Sequence, residues 1–372
     1  SMDITCYYGS LTVEQINEKV FGTGVTVNLT GSNTSEGKTT ALDDTINIVN
    51  STNVVADGGA GNDAYNVMYD NNVGGTVTIT EKDFSTGDVV RLQGMTFENI
   101  GVGNPKVTVV DDGDGTTHRQ ELIRFANNSN SSSSRQEVII KTDNGILPTI
   151  QFDDITVNSR AENGGGNYNF TDAGDNVAFS GKDGNYEITM DTADFVITDT
   201  GDDVVHASGY KYVAITLGGS DTIDAQMYGA AKVLAGADND NVTAEVQGYN
   251  NRVAGGTGDD TISVTNYGQN NFVEGEDGDD VISIDDRCSI YSTSYDRSVI
   301  VNGGAGNDII NFEQHSSTAP ASLQGGLGAD TYNVNWYAGT RVIINQTDTN
   351  DGAVDVLNIN NAASTNFAFA YN

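Results

Sequence analysis

Short apolar pairs recur every nine residues through the middle of the chain, and this recurrence constrains the fold more than any other feature of the sequence. The pairs have the form U-x-U, where U is an inward-facing position, and they are Tyr168/Phe170, Val177/Phe179, Tyr186/Ile188, Phe195/Ile197, Val204/His206 and Val213/Ile215. Strand side chains alternate between faces, so each pair predicts a short strand with both named side chains inward. Such a strand cannot bury a face alone, and evenly spaced copies predict a stacked solenoid.

From Ile223 onward the repeat lengthens, and one coil takes about 18–20 residues. One predicted inward ladder is Ile223, Val242, Ile262, Ile282, Ile310 and Tyr332. Its neighbour, two residues further on in each coil, is Ala225, Ala244, Val264, Ile284, Phe312 and Val334. The opposite face of the coil is predicted to carry Val233, Val253, Val273 and Leu323. Helices are disfavoured, because each Gly in a helix interior costs about 1 kcal/mol relative to Ala and the chain has 44 of them.

Glycine-rich loops that end in Asp precede the predicted strands on one side of this solenoid. The full versions are residues 255–260, 275–280, 303–308 and 325–330, with weaker versions at 218–221 and 236–240 and an isolated early copy at 58–63. Loops on the other side, such as 247–251 and 266–271, are polar but uncharged. The two sides therefore differ in chemistry, and the acidic side is the candidate functional side.

These loops match the G-G-x-G-x-D-x-U-x pattern, and the chain resembles the RTX (repeats-in-toxin) calcium-binding proteins. Residues 58–66, 255–263, 303–311 and 325–333 match every signature position, whereas 275–283 has Glu276 in place of the second Gly. The resemblance implies an all-β fold built on a parallel β-roll, with calcium ions (Ca²⁺) held between the loops of successive coils. It also implies type I secretion, folding outside the cell, and a secreted or cell-surface location.

The loop composition suits calcium chemically. Glycines permit positive φ and let backbone carbonyls converge, the terminal Asp adds an anionic oxygen, and calcium takes about six to eight oxygen ligands. The candidate ligand positions in the roll are Asp203, Gly219, Asp221, Asp238, Asp240, Gly256, Gly258, Asp260, Asp277, Gly278, Asp280, Gly304, Gly306, Asp308, Gly326, Gly328 and Asp330. The early copy adds Gly59, Gly61 and Asp63. The alternative is that these Asp residues only form solvated turns, and for the isolated Asp63 both interpretations stay open.

The remaining sequence completes a four-part domain prediction. Residues 1–69 are expected to form a short cap helix, opened by Thr12 and Gln15, followed by degenerate coils; 70–163 an antiparallel β-domain; 164–345 the roll; and 346–372 the truncated start of a second β-domain. The last expectation rests on a long repeat, since the pattern around residues 58–92 returns 267 residues later at 325–359. We therefore expect a larger modular parent protein.

The net charge limits the classes of partner that the chain can bind. Lys and Arg total 17 against 52 Asp and Glu, which leaves −35, so nucleic acid and anionic membrane surfaces are excluded as partners and cations are favoured. No apolar run approaches the length of a membrane span, and membrane insertion is not expected. The two cysteines, Cys6 and Cys288, are expected to be unpaired thiols.

The chain lacks the zinc-protease motif H-E-x-x-H and the hydrolase motif G-x-S-x-G, so we do not expect an enzyme. Two function classes remain. The first is a calcium-stabilised structural or adhesive segment of a secreted or surface protein, which includes self-association. The second is the calcium-binding C-terminal-type region of an exported RTX toxin or enzyme. Binding of surface glycans is a further alternative, through tyrosines on the metal-free side: Tyr210, Tyr212, Tyr228, Tyr249 and Tyr267.

Overall fold

The computed structural model describes residues 22–32, 34–35, 38–51, 53–69, 75–81, 83–97, 100–102, 106–111, 117–127, 136–172, 176–289, 297–315, 319–337, 341–345 and 352–361. The secondary-structure elements of these residues are all β-strands, which confirms the all-β class. None of them belongs to a helix long and apolar enough to cross a membrane. The predicted cap helix and Cys6 lie outside the described residues, and Cys288 is buried and forms no disulfide within the described part of the chain.

The strands of the first half are short and regularly spaced. They are β1 (Thr26–Gly31), β2 (Thr45–Ser51), β3 (Asn53–Ala56), β4 (Ala64–Met68), β5 (Gly75–Glu81), β6 (Val89–Gln93), β7 (Ile100–Val102), β8 (Lys106–Asp111), β9 (Thr117–Asn127), β10 (Gln136–Thr142), β11 (Thr149–Gln151) and β12 (Thr156–Asn163).

The second half continues the same rhythm. Its strands are β13 (Gly166–Asn169), β14 (Val177–Lys182), β15 (Tyr186–Met190), β16 (Phe195–Ile197), β17 (Val204–Tyr210), β18 (Val213–Ile215), β19 (Thr222–Gly229), β20 (Lys232–Ala237), β21 (Asn241–Val246), β22 (Arg252–Thr257), β23 (Thr261–Asn266), β24 (Asn271–Asp277), β25 (Val281–Asp286), β26 (Val299–Ala305), β27 (Ile309–Gln314), β28 (Ala321–Leu327), β29 (Thr331–Asn335), β30 (Val342–Ile344) and β31 (Val356–Asn360).

The chain divides into two compact units, the first formed by residues 1–161 with 175–180 and the second by 162–174 with 181–372. In the first unit, β1, β2, β4, β6 and β11 pair in parallel in that order, and β12 pairs antiparallel with β11. A second sheet has β3, β5 and β10 in parallel, followed by β9, which pairs antiparallel with β7, β8 and β10.

The antiparallel region is smaller than the sequence indicated. Strands β6 and β11 come from the stretch expected to be antiparallel, yet both lie in the parallel sheet. Period-two alternation shows that a segment is a half-buried strand but carries no information on the direction of its neighbour, which explains the difference.

The second unit is a parallel β-solenoid. One of its sheets contains β13 and every second strand to β31, the other contains β16 and every second strand to β30, and the chain adds one strand to each sheet per coil. Ile262, Ile282, Ile310 and Tyr332 pair in direct register, and each is 2% exposed or less. The predicted inward ladder is therefore confirmed, and it places the end of every glycine-rich loop at the same corner of the coil.

The predicted inward pair Val204/His206 is wrong by one residue. Val205 pairs with Ile223 and is buried together with Ala207, whereas the His206 side chain is 48% exposed and lies 4.0 Å from Asp224. Two adjacent valines satisfy either phase of a period-two pattern, so the sequence alone did not select the correct phase.

Candidate metal centre

Each loop on the acidic side ends in an Asp that stands directly before a strand and points its side chain inward. In the second unit these residues are Asp203, Asp221, Asp240, Asp260, Asp280, Asp308 and Asp330. In the first unit they are Asp44, Asp63 and Asp88. All of them are 3% exposed or less, which is unusual for a residue type that is almost never buried without a partner. We call this set the inner Asp ladder.

A repeated hydrogen bond joins the members of the inner Asp ladder. The Asp260 backbone N–H donates to Asp280 Oδ1 at 2.8 Å, and the Asp280 N–H donates to Asp308 Oδ1 at 2.9 Å. The same bond links Asp44 N–H to Asp63 Oδ1 at 2.6 Å in the first unit. One carboxylate oxygen of each residue is thus satisfied by the preceding coil, through a charge-assisted hydrogen bond.

In most members of the ladder, although not in Asp44 and Asp88, the second carboxylate oxygen has no such partner. Within the described residues, Oδ2 of Asp63, Asp240, Asp260, Asp280 and Asp308 is buried and accepts no hydrogen bond. Leaving a buried polar atom unsatisfied costs about 1–3 kcal/mol, more when the group is charged. A deficit that recurs in four successive coils, at Asp240, Asp260, Asp280 and Asp308, indicates a ligand.

The unpartnered oxygen faces a cradle that only glycine leaves open. A Cβ placed on Gly275 would lie 2.1 Å from Asp280 Oδ2 and 2.5 Å from the carbonyl oxygen of Gly303 in the next coil. A Cβ on Gly303 would lie 2.2 Å from Asp308 Oδ2 and 2.5 Å from the carbonyl oxygen of Gly325. Each cradle therefore brings a carboxylate oxygen close to a carbonyl oxygen of the neighbouring coil. Two acceptors this close need a proton or a cation between them, so each cradle is a candidate ligand set for a cation.

Burial also changes the acidity of the ladder. Desolvation, reinforced by neighbouring carboxylates, raises the pKa of Asp240, Asp280 and Asp308 to about 7 each, from an ordinary 3.8. Desolvation likewise raises the pKa of Asp221 to about 8, although the Thr216 hydroxyl opposes it. Bare carboxylates are thus costly at this corner, so a proton or a metal ion is needed to neutralise them.

Asp286, at the opposite corner of the coil, shows what a satisfied buried carboxylate looks like in this protein. Its Oδ1 accepts from Asn266 Nδ2 at 2.9 Å, and its Oδ2 accepts from Gln314 Nε2 at 2.9 Å. Amide side chains from neighbouring coils therefore satisfy both oxygens of this carboxylate with hydrogen bonds. The contrast with Asp280 separates a structural corner from a candidate metal corner in the same coil.

The signature glycines adopt the positive φ values that the sequence pattern predicted. The ones named as candidates have φ between +87° and +143°: Gly59, Gly61, Gly219, Gly256, Gly258, Gly278, Gly304, Gly306, Gly326 and Gly328. A Cβ on Gly256 would stand 1.8 Å from the Gly236 carbonyl oxygen, so side chains are excluded there. Two other candidates, Asp238 and Asp277, lie exposed at the surface, outside the inner Asp ladder.

Sequence reasoning missed part of the site. Asp44 and Asp88 belong to the ladder but lack the full glycine signature, and their only signal is an Asp two residues before an inward apolar residue. It also missed an outer ladder of exposed Asp and Asn side chains. Its backbone N–H groups donate to the preceding coil, whereas those of the inner Asp ladder donate to the following coil: Asp279 N–H donates to Asp259 Oδ1, and Asn307 N–H donates to Asp279 Oδ1. The signal for the outer ladder was the Asp or Asn that directly precedes Asp260, Asp280 and Asp308.

A second acidic group lies in the first unit. Asp63, Glu81 and Asp88 are buried, and one carboxylate oxygen from each lies within 4.8 Å of the other two. Nothing in the sequence around Glu81 indicated this position, because the contact depends on strand β5 meeting the end of a loop from the other sheet.

The tyrosines of the metal-free side are only partly available for contacts. Tyr212 is fully buried, whereas Tyr210 and Tyr249 are about half exposed, and the Tyr210 and Tyr228 ring centroids lie 5.6 Å apart. Tyr212 is therefore not accessible to a glycan, and glycan binding through the other tyrosines stays a prediction.

Comparisons with protein-family models, with curated proteins and with solved structures find no significant match to this chain.

Proposed function

We propose that the second unit binds calcium ions between its glycine-rich loops and that ion binding stabilises the solenoid. The observation that carries this proposal is the unpartnered, buried Oδ2 of Asp280 and Asp308, each beside a glycine carbonyl of the next coil. The ion supplies the positive charge that these oxygens lack, and Asp260, Asp280 and Asp308 with the neighbouring carbonyls hold it.

The donor chemistry favours calcium over transition metals. The glycine-rich loops offer carboxylate and carbonyl oxygens, with no His or Cys in the segments 255–260, 275–280, 303–308 and 325–330. Such hard oxygen donors suit calcium and magnesium rather than zinc or copper. Calcium tolerates irregular shells of six to eight oxygens, whereas magnesium demands a near-ideal octahedron, so a shell assembled from carboxylates and carbonyls of successive coils favours calcium.

The biological role that fits these sites best is a calcium-stabilised structural or adhesive segment of a secreted or cell-surface protein. The repetition of one contact supports this modular role: the Gly58 N–H donates to the Tyr65 hydroxyl, and the Gly325 N–H donates to the Tyr332 hydroxyl. Ion binding at shared inter-coil sites is coupled to folding, so the folded state loses stability where calcium is scarce and gains it where calcium is abundant.

The direct test is circular dichroism and thermal melting of the whole chain in chelator and then in about 1 mM calcium. We expect a gain of β-signal, or a large rise in the melting temperature, on adding calcium, and a smaller response to magnesium. An unchanged spectrum and melting temperature across the calcium titration would defeat the proposal and leave an acidic solenoid that folds without metal.

A further inference from the structure

The acidic group of the first unit is built from both of its sheets. Asp63 ends a glycine-rich loop before β4, and Asp88 stands before β6, so both belong to the parallel sheet. Glu81 is the last residue of β5, which belongs to the sheet with antiparallel strands. All three side chains are 1% exposed or less. A ligand bound by these three carboxylates would therefore join the two sheets of this unit.

The hydrogen bonds around the group leave two oxygens open. Glu81 Oε2 accepts from the Tyr65 hydroxyl, and Asp88 Oδ1 accepts from the Asp63 backbone N–H at 2.6 Å. The Ser85 N–H donates to Asp88 Oδ2. Within the described residues, Glu81 Oε1 and Asp63 Oδ2 are buried and accept no hydrogen bond. Glu81 and Asp63 are attached to strands of different sheets, and each contributes one unpartnered oxygen to the same carboxylate group.

Among the described residues, the hydrogen bonds to this group come from backbone N–H groups and the Tyr65 hydroxyl. No Lys or Arg among the described residues donates a hydrogen bond to Asp63, Glu81 or Asp88. Burial, together with the repulsion of neighbouring carboxylates, raises the pKa of Glu81 to about 9 and that of Asp63 to about 7. Buried charges of one sign are retained in proteins where they are paired or bind metal ions.

We propose that Asp63, Glu81 and Asp88 bind one hard divalent cation, calcium or an ion of similar chemistry, at a site separate from the loop sites proposed for the second unit. The site rests on the same cation chemistry as the proposed function, but its defining ligand, Glu81, comes from outside the glycine-rich repeat. Tyr65 is a positioning residue: its hydroxyl accepts from the Gly58 N–H at 2.7 Å and donates to Glu81 Oε2, which fixes the orientation of the Glu81 carboxylate. The bound ion ties β5 to the loops before β4 and β6.

The test is isothermal titration of the whole chain with calcium, comparing the wild type with Glu81→Gln. Gln has the shape of Glu without its charge, so we expect the variant to bind one ion fewer and to gain less melting temperature from calcium. In chelator, the same variant should melt close to the wild-type temperature, because neither protein holds an ion there. Glu245→Gln, at an exposed position on β21, is the matched control and should keep the wild-type number of ions.

A second variant keeps the test decisive where Glu81→Gln fails to fold. Tyr65→Phe retains all three carboxylates, and we expect it to keep the wild-type number of ions with a weaker affinity for one of them. Terbium luminescence excited through tyrosine should fall in the same variant, because Tyr65 contacts a ligand of the ion.

The outcomes separate this inference from the proposed function. If the wild type binds calcium but Glu81→Gln binds as many ions and gains as much stability, the group holds a proton instead and this inference is overturned while the loop sites stand. If Tyr65→Phe leaves every affinity unchanged, the positioning role is overturned. If the wild type binds no calcium at all, both the inference and the proposed function are overturned.

Discussion

At the scale of single residues, Glu276 is the one position where a full loop departs from its glycine pattern. Its φ is +83°, in the region that signature glycines occupy in the other loops. A left-handed backbone costs about 1–2 kcal/mol for a residue with a Cβ. Arg252 offsets part of this, because its Nη2 donates to Glu276 Oε1 at 2.8 Å. An exposed ion pair contributes only about 0–1 kcal/mol, so some strain remains.

Replacing Glu276 by Gly and, separately, by Ala isolates that strain. Both changes remove the ion pair with Arg252, and only the Ala variant keeps a Cβ at positive φ. We expect Glu276→Gly to be more stable than Glu276→Ala by about 1 kcal/mol in urea unfolding at saturating calcium. Equal stability of the two variants would show that the loop relaxes to another backbone conformation.

At the scale of elements, a loop and the strand after it act as one unit of ion binding, because the Asp that precedes the strand serves two coils at once. The Asp260→Asn, Asp280→Asn and Asp308→Asn changes, made together, keep an Oδ1 acceptor for the inter-coil hydrogen bonds but remove three charges. We expect the triple variant to need more calcium at the folding midpoint, since three consecutive sites lose their anionic ligand. A calcium titration followed by circular dichroism measures the shift.

The stability without calcium distinguishes metal binding from simple loss of structure. In chelator, the triple variant should be no less stable than the wild type, because like charges in adjacent coils repel each other. Asp224→Asn, on the exposed face of β19, is the control and should leave the calcium midpoint where it is. A triple variant that loses the same stability with and without calcium would assign the ladder to structure alone.

The same scale explains what the sequence could and could not predict. The ladder from Ile262 to Tyr332 was predictable because glycine-rich loops fix where each strand begins, and the period of two then fixes the inward residues. The Val204/His206 phase failed because that strand has two adjacent valines. Glu81 could not be predicted, since its partners come from strands of another sheet and no local pattern marks the contact.

At the scale of the whole molecule, the negative charge makes the stability of the fold depend on pH and on calcium concentration. The chain carries −35, and the inner Asp ladder concentrates buried carboxylates along one corner of the solenoid. Protons and metal ions compete for the same oxygens, because a carboxylate must lose its proton to bind calcium. The response to pH should therefore change sign with calcium, and that reversal can be measured on the intact chain.

For the metal-free chain, the pKa values of Asp240, Asp280 and Asp308 are raised from 3.8 in the unfolded chain to about 7 in the folded chain. Between about pH 4 and pH 7 the folded state holds protons that the unfolded state has released, so stability falls as the pH rises through this window. Metal-depleted protein should thus melt at a higher temperature near pH 5 than near pH 8. With saturating calcium the carboxylates are charged and bound, so lowering the pH displaces ions and the melting temperature should instead fall. Melting curves at several pH values, with and without calcium, test the reversal, and the same slope in both series would mean that the ladder holds no calcium.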